Sequence, residues 1–218
     1  MTSSTGAGQG SETLADQAYR AISDRLVTLR IRPGEPINDE QIAAELGFGR
    51  TPVREALKRL ETERLIVAYP RRGTFATEVQ IADLGHISEV RQQLEPLAAS
   101  VAAERATESD RTELGKLLAQ LEAGGPDGGS ELIRLDMAVH RAIYATTYNP
   151  YLQDTLIKYD NLATRIWCLF IGRLPGLAGH VREHGPLLRA IIDGDPQKAA
   201  ALAADHVEGF EAAIREII

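Results

Sequence analysis

A chain of 218 residues, 44% of them hydrophobic, is long enough to bury at least one sizeable core, and its single cysteine, Cys168, excludes an internal disulfide framework. The net charge of −7 is unevenly spread: seven Lys/Arg face three Asp/Glu from Arg50 to Arg72, against thirteen and twenty from Gln80 to the end, so overall acidity does not exclude a nucleic-acid partner. No apolar run approaches the ~18 residues of a membrane span, and the Ser/Gly/Thr-rich start lacks the basic-then-apolar layout of a signal peptide.

Residues 1–10 are expected to be a disordered tail. From Thr13 to Arg30, Leu14, Ala18, Ile22, Leu26 and Leu29 recur every three or four residues, which predicts an amphipathic helix ended by Arg32-Pro33-Gly34. Asp39 to Leu46 is a short helix with Ile42, Ala43 and Leu46 inward, and Gly47 stands where a left-handed C-terminal cap belongs. The next helix opens with Thr51 as its N-cap and Pro52 at its first position, and carries Val53, Ala56, Leu57 and Leu60 on one face. Arg50, Arg54, Lys58 and Arg59 lie on or beside the other face, which suits phosphates and guanine edges. Leu65 to Tyr69, Pro70-Arg71-Arg72-Gly73, then Thr74 to Thr77 predict strand, turn and strand. Helix, Gly turn, cationic helix and cationic hairpin in this order describe a winged helix-turn-helix over residues 11–78.

From Ile81 onward only helical periodicity appears. The segments run from Ile81 to about Ala106 with a bend at Pro96, from Ser109 (as cap) to Ala123, from Ser130 to Thr147, from Asn149-Pro150 to Ile171, from Ala178 to Ile192 and from Pro196 to Ile217. Gly124 to Gly129 is a loop. The expected fold is mainly α, with an all-α antiparallel bundle of six or seven helices over residues 79–218.

Within the bundle, Asp136 and His140 sit four apart, on one face of one helix, and His184 and His206 lie on later helices. Three imidazoles and a carboxylate suit Zn²⁺, Ni²⁺ or a similar divalent ion. The spacing alone also fits a plain hydrogen-bonded Asp–His pair and locally satisfied core histidines, so both readings stay open. Cys168 is expected to fill a core, and His86 to lie at the surface.

Arg50-Thr51-Pro52-Val53-Arg54-Glu55-Ala56-Leu57, followed by Leu60, Leu65 and Arg72-Gly73, resembles the most specific run of the GntR-type winged-helix regulators. Gly49 stands where that family often has serine. Further on, Arg91-Gln92-Gln93-Leu94-Glu95, then Asp136 with His140, Asn149-Pro150, His184 with Ala190 and Gly194-Asp195, then His206, resemble the FCD ligand-binding domain of the family's FadR-type branch. The resemblance implies DNA contacts at Arg50, Thr51, Arg54, Lys58, Arg71, Arg72 and Gly73. It also implies a divalent metal held by Asp136, His140, His184 and His206 at the floor of a cavity, a small carboxylate effector there, and Arg91 directed toward that effector. One departure is Gly185-Pro186 directly after His184: in a first helical turn Pro186 is harmless, but with helix before it His184 is re-aimed and His180 competes as ligand.

The expected function is a cytoplasmic, non-enzymatic transcriptional regulator, a repressor that binds a palindromic operator as a homodimer. Two alternatives are a metal-dependent enzyme using the same Asp and His residues, and an architectural DNA-binding protein whose bundle only dimerises.

Overall fold

The computed structural model describes residues 12–125, 129–171 and 177–216. Among these, residues 12–26 with 30–78 form one compact unit, and 27–29 with 79–216 form a second. The expectations for residues 1–10, for 126–128 of the Gly-rich loop and for Ile217 lie outside the described residues.

The first unit holds α1 (Leu14–Val27), β1 (Pro36–Ile37), α2 (Asp39–Leu46), α3 (Arg50–Thr62), β2 (Ile66–Tyr69) and β3 (Gly73–Ala76). Its core is built from helical spacings of three and four: Ala18, Ile22 and Leu26 from α1, Ile42 and Ala43 from α2, Val53, Ala56, Leu57 and Leu60 from α3. Asn38 caps α2 by accepting from the Glu40 and Gln41 N–H groups. Gly47 takes φ 71° beyond its end, and Phe48 N–H closes back onto the Ala43 carbonyl at 3.0 Å.

Three details differ from the sequence expectation. First, α1 ends at Val27 rather than Arg30, because Leu29 turns left-handed (φ 56°) and Ile31 N–H donates to the Arg25 carbonyl at 2.9 Å, while Leu14, expected inside, is 58% exposed. Second, α3 begins one residue before Thr51: its N-cap is Gly49, which offers no side-chain acceptor, and Pro52 sits at the third helical position, not the first. Third, the wing is three-stranded. The hairpin β2–β3 pairs Tyr69 with Gly73 across its turn, and β1 joins the other edge of β3 through Pro36 and Ile37, giving the order β1-β3-β2. Two residues of strand carry no readable alternation, so β1 leaves no sequence signal.

The second unit has a 3₁₀ turn (Ile81–Asp83) and then α4 (Leu84–Arg105), α5 (Glu108–Glu122), α6 (Gly129–Thr146), α7 (Pro150–Phe170), α8 (Leu177–Arg182), α9 (His184–Ile192) and α10 (Pro196–Arg215). α4 continues through Pro96 and packs along α10. Thr107, not Ser109, caps α5, in a reciprocal capping box with Asp110. Asn149 and Asp195 cap α7 and α10, with Pro150 and Pro196 each in first position.

The expected single helix from Ala178 to Ile192 is two. Pro186 has no N–H to give the Arg182 carbonyl, so the helical ladder lapses at Glu183 and α9 restarts at His184, with Pro186 in its first turn. This places His184 at a helix start, buried against α6.

Candidate metal centre and nucleic-acid interface

In the first unit, Arg50, Thr51, Arg54 and Lys58 are all exposed on α3, and Arg71, Arg72 and Gly73 are exposed at the wing turn. Arg54, Lys58, Gly73 and Thr74 line one groove between α3 and the wing. Two arginines already have acidic partners from the first turn of α2. Arg54 Nε donates to Asp39 Oδ2 at 2.6 Å, and Arg50 reaches Glu40 Oε1 at 2.6 Å and Asp39 Oδ2 at 3.6 Å. The hydrogen bond from Arg54 holds the Asp39 carboxyl below its ordinary range. Arg59 departs from the expected cationic face: it pairs with Asp16 at 2.7 Å and lies 4.1 Å over the Tyr19 ring, so it ties α3 to α1. At the wing tip Arg71 adopts φ 62°, and Arg72 sits over Tyr69 at 5.9 Å.

In the second unit the fold brings Asp136 and His140 of α6, His184 of α9 and His206 of α10 together. One ligand atom from each lies within 4.8 Å of the others, and all four residues are buried. The surroundings fix the ring orientations. His140 Nδ1 is 3.1 Å from Tyr144 Oη and 3.3 Å from Glu95 Oε2, and His184 Nδ1 is 3.1 Å from the Val181 carbonyl, so each Nδ1 carries the proton as donor. Both Nε2 atoms then face each other at 3.2 Å. Two bare lone pairs would repel there, so the contact holds either a proton, donated from one ring to the other, or a metal ion. Two imidazole nitrogens at the usual Zn–N distance in tetrahedral geometry would stand about 3.3 Å apart, close to what is seen. Asp136 Oδ1 is buried without a hydrogen-bond partner, and His206 Nδ1 is held by Glu183 Oε2 at 3.2 Å. The donor set fits a borderline divalent ion.

Electrostatics favour ligation at three of the four residues. Burial pushes the Asp136 carboxyl up to about 6. Burial also drives His184 and His206 well below the usual imidazole range, with neighbouring histidines adding to it, so both are neutral as ligation requires. For His140 burial is outweighed by Glu95 and Asp160, which raise it to about 9, so a metal ion must displace the proton that its Nε2 otherwise donates to His184. Burial likewise opposes the charge on Glu95, but Arg91 and His140 hold its carboxyl well below the ordinary range.

Arg91 is buried, as a residue directed inward should be, but it is not free. Its Nε donates to Glu95 Oε1 at 2.7 Å, its NH2 is 3.8 Å from Asp160, and its guanidinium lies 5.5 Å from the Phe210 ring. Tyr144 Oη donates to the same Glu95 oxygen at 2.9 Å. Glu95, Asp160 and Glu183 therefore belong to the site although the sequence reading gave them no role. Glu95 stood in the quoted Arg91-to-Glu95 run at helical spacing, and Glu183 stood beside His184. Asp160 carried no signal, since an acid in the middle of a helix looks like any solvated charge.

His180 forms a second donor group with Glu183 and His206: its Nδ1 is 3.1 Å from Glu183 Oε2 and its ring stacks on His206 at 4.0 Å. It lies outside His206 rather than replacing His184. Trp167 closes this side at 4.8 Å from the His180 ring. Cys168 is part-buried, and burial pushes its thiol up to about 12. His86 is exposed.

Comparison with known proteins fits this arrangement. The model of the bacterial regulatory proteins of the gntR family matches residues 14–76, and the FCD domain model matches residues 86–209. The chain belongs to the GntR family, with an FCD domain. It is similar to the nta operon transcriptional regulator of Aminobacter aminovorans, 30% identical over 193 residues, covering 88% of this chain and 90% of that protein. It is also similar to the transcriptional regulator McbR of Escherichia coli, 30% identical over 208 residues, covering 94% of this chain and 90% of that protein. A solved structure of E. coli McbR superposes with a TM-score of 0.80 at 24% identity, over 94% of this chain and 98% of that one, and shares the fold. A Rhodococcus GntR structure does so with a TM-score of 0.70 at 20% identity, over 94% of this chain and 98% of that one. This GntR-family chain is thus a transcriptional regulator and not an enzyme, with a buried Asp/His cluster that could hold a metal. Among the described residues no helix is long and apolar enough to cross a membrane.

Proposed function

We propose that this regulator binds a palindromic operator as a homodimer and acts as a repressor whose affinity is set by a small carboxylate effector. The effector site is a divalent metal, Zn²⁺ or Ni²⁺, held by Asp136, His140, His184 and His206. The observation that carries this reading is the pair of inward Nε2 atoms at 3.2 Å, each with its Nδ1 engaged elsewhere. A divalent ion can take the place of the proton between them, and the unpartnered Asp136 oxygen supplies the anionic donor.

When bound, the metal would supply a Lewis-acidic charge that attracts a carboxylate oxygen. Glu95 and Tyr144 hold the His140 proton at Nδ1, the Val181 carbonyl does so for His184, and Glu183 for His206. On the DNA side, Arg50 and Arg54 exchange Asp39 and Glu40 for base edges and phosphates. Thr51 and Lys58 flank them on the same helix, and Arg71, Arg72 and Gly73 present the wing to the backbone. A regulator of this kind acts where the chromosome is, in the cytoplasm.

The test is a gel shift on the protein's own promoter region, with metal-loaded and chelated protein, across a panel of small carboxylates. A carboxylate that shifts operator affinity only in the metal-loaded protein, and fails to do so in His140→Ala, supports the proposal. A response that survives His140→Ala, or protein that takes up no stoichiometric metal under any loading condition, would falsify it.

A further inference from the structure

We propose that Asp160 makes the effector site selective for a zwitterion, a small carboxylate that also carries a protonated amine. This rests on the metal-and-effector reading above and names the ligand class.

Asp160 lies on α7 with only 1% of its surface exposed. Its Oδ2 has no hydrogen-bond partner, and its Oδ1 is 3.8 Å from Arg91 NH2, an ion-pair distance too long for a hydrogen bond. A buried carboxyl with an acceptor oxygen unmet is costly unless a donor or a cation meets it. The charge of Asp160 bears on Asp136, His140, Arg91 and Tyr144, which puts it beside the metal set. Ser88 Oγ, on α4 one turn before Arg91, is likewise buried and unpartnered.

Arg91 is not an empty carboxylate receptor. Glu95 already occupies its Nε, and Asp160 shares its charge. Two carboxylates, Glu95 and Asp160, already lie at ion-pair distance from it. A simple carboxylate would bring a further negative charge beside these and leave Asp160 Oδ2 without a donor. A zwitterion adds none: its carboxylate goes to the metal and its ammonium donates to Asp160 Oδ2. A hydroxyl would satisfy the oxygen but leave the charge.

The experiment is calorimetric titration of the zinc-loaded full chain with matched probes, glycine against glycolate and L-alanine against L-lactate, repeated in Asp160→Asn. The amino member of each pair is expected to bind about tenfold or more tighter in the unmodified chain, the size of one charge-assisted hydrogen bond. In Asp160→Asn the preference should disappear while zinc content and melting temperature stay within error. Ser88→Ala, which removes no charge, should leave the preference in place. Equal binding of the two members would overturn the role of Asp160, as would a preference that survives in Asp160→Asn, since the amine would then go to the metal. Failure of every carboxylate to bind zinc-loaded protein would overturn the effector reading itself.

Discussion

Glu95 is the residue on which the metal set turns. One of its oxygens takes Arg91 Nε and Tyr144 Oη, the other faces His140 Nδ1. Glu95→Gln keeps the volume and removes the charge that keeps that proton in place, so metal affinity should fall about 10- to 100-fold. Chelator competition measures this, and Trp167, the chain's single tryptophan, reports occupancy through its contact with His180. An unchanged affinity would leave Glu95 with only the Arg91 pair to explain it. On α3, Arg50→Ala and Arg54→Ala should each weaken operator binding. Whichever arginine reads a guanine should lose about 1–3 kcal/mol of discrimination at that base pair. Gel shifts on matched and mismatched operators separate base reading from phosphate contact, and unchanged affinity in both variants would remove α3 from the interface.

At the scale of the elements, α3 starts on Gly49, the position at which the resemblance implies a serine. Gly49 has φ −70°, and a Cβ there would meet Pro52 at an ordinary 3.6 Å, so a side chain fits. Pro52 has no N–H, which leaves only the Thr51 N–H for a serine hydroxyl to accept from. Gly49→Ser should therefore stabilise by only a few tenths of a kcal/mol, about 1–3 °C in the melting temperature of the isolated DNA-binding transition. A loss of stability would show that the extended N-cap needs glycine. In the wing, Arg71 and Arg72 project from a turn with left-handed backbone at Arg71 and Gly73. If both meet phosphates, replacing both with alanine should weaken all sequences about equally and lower the salt slope by roughly two. A loss confined to one operator in filter-binding titrations would indicate base reading instead.

At the scale of the molecule, a metal at this site ties α6, α9 and α10 together, and a ligand bound only by the folded state stabilises it by mass action. At a thousandfold excess over Kd that is about 4 kcal/mol. Chelation should therefore lower the melting temperature of the helical unit while leaving the winged unit's transition in place, because each unit has its own buried core. Acidification below the imidazole range near ~6.5 should do the same, since protons compete for the ligand nitrogens and occupancy falls as pH falls. Calorimetric scans with and without chelator, at neutral and mildly acidic pH, check both. A single transition indifferent to chelator would show that the four residues are core polar groups.

The amino-acid sequence alone determined much of this protein through short-range physics. Helical spacing of Val53, Ala56, Leu57 and Leu60, the left-handed Gly47 and the Asn149-Pro150 start each depend on a few neighbouring residues, so they could be read without a fold. Asp136 and His140 were legible for the same reason, being one helical turn apart. What lay beyond reach was whatever needed two distant segments to meet. β1 exists only because β3 offers it an edge, and Gly49 takes the N-cap only through the path of the turn before it. Arg59 faces α1 because Asp16 and Tyr19 are there. The lapse at Glu183 was half-legible: Pro186 announced a missing hydrogen bond, but only packing against α6 decided that His184 would still face His140. Asp160 shows the limit most plainly. A solvated aspartate and a buried one are the same letter, and burial is a property of the helices that surround it.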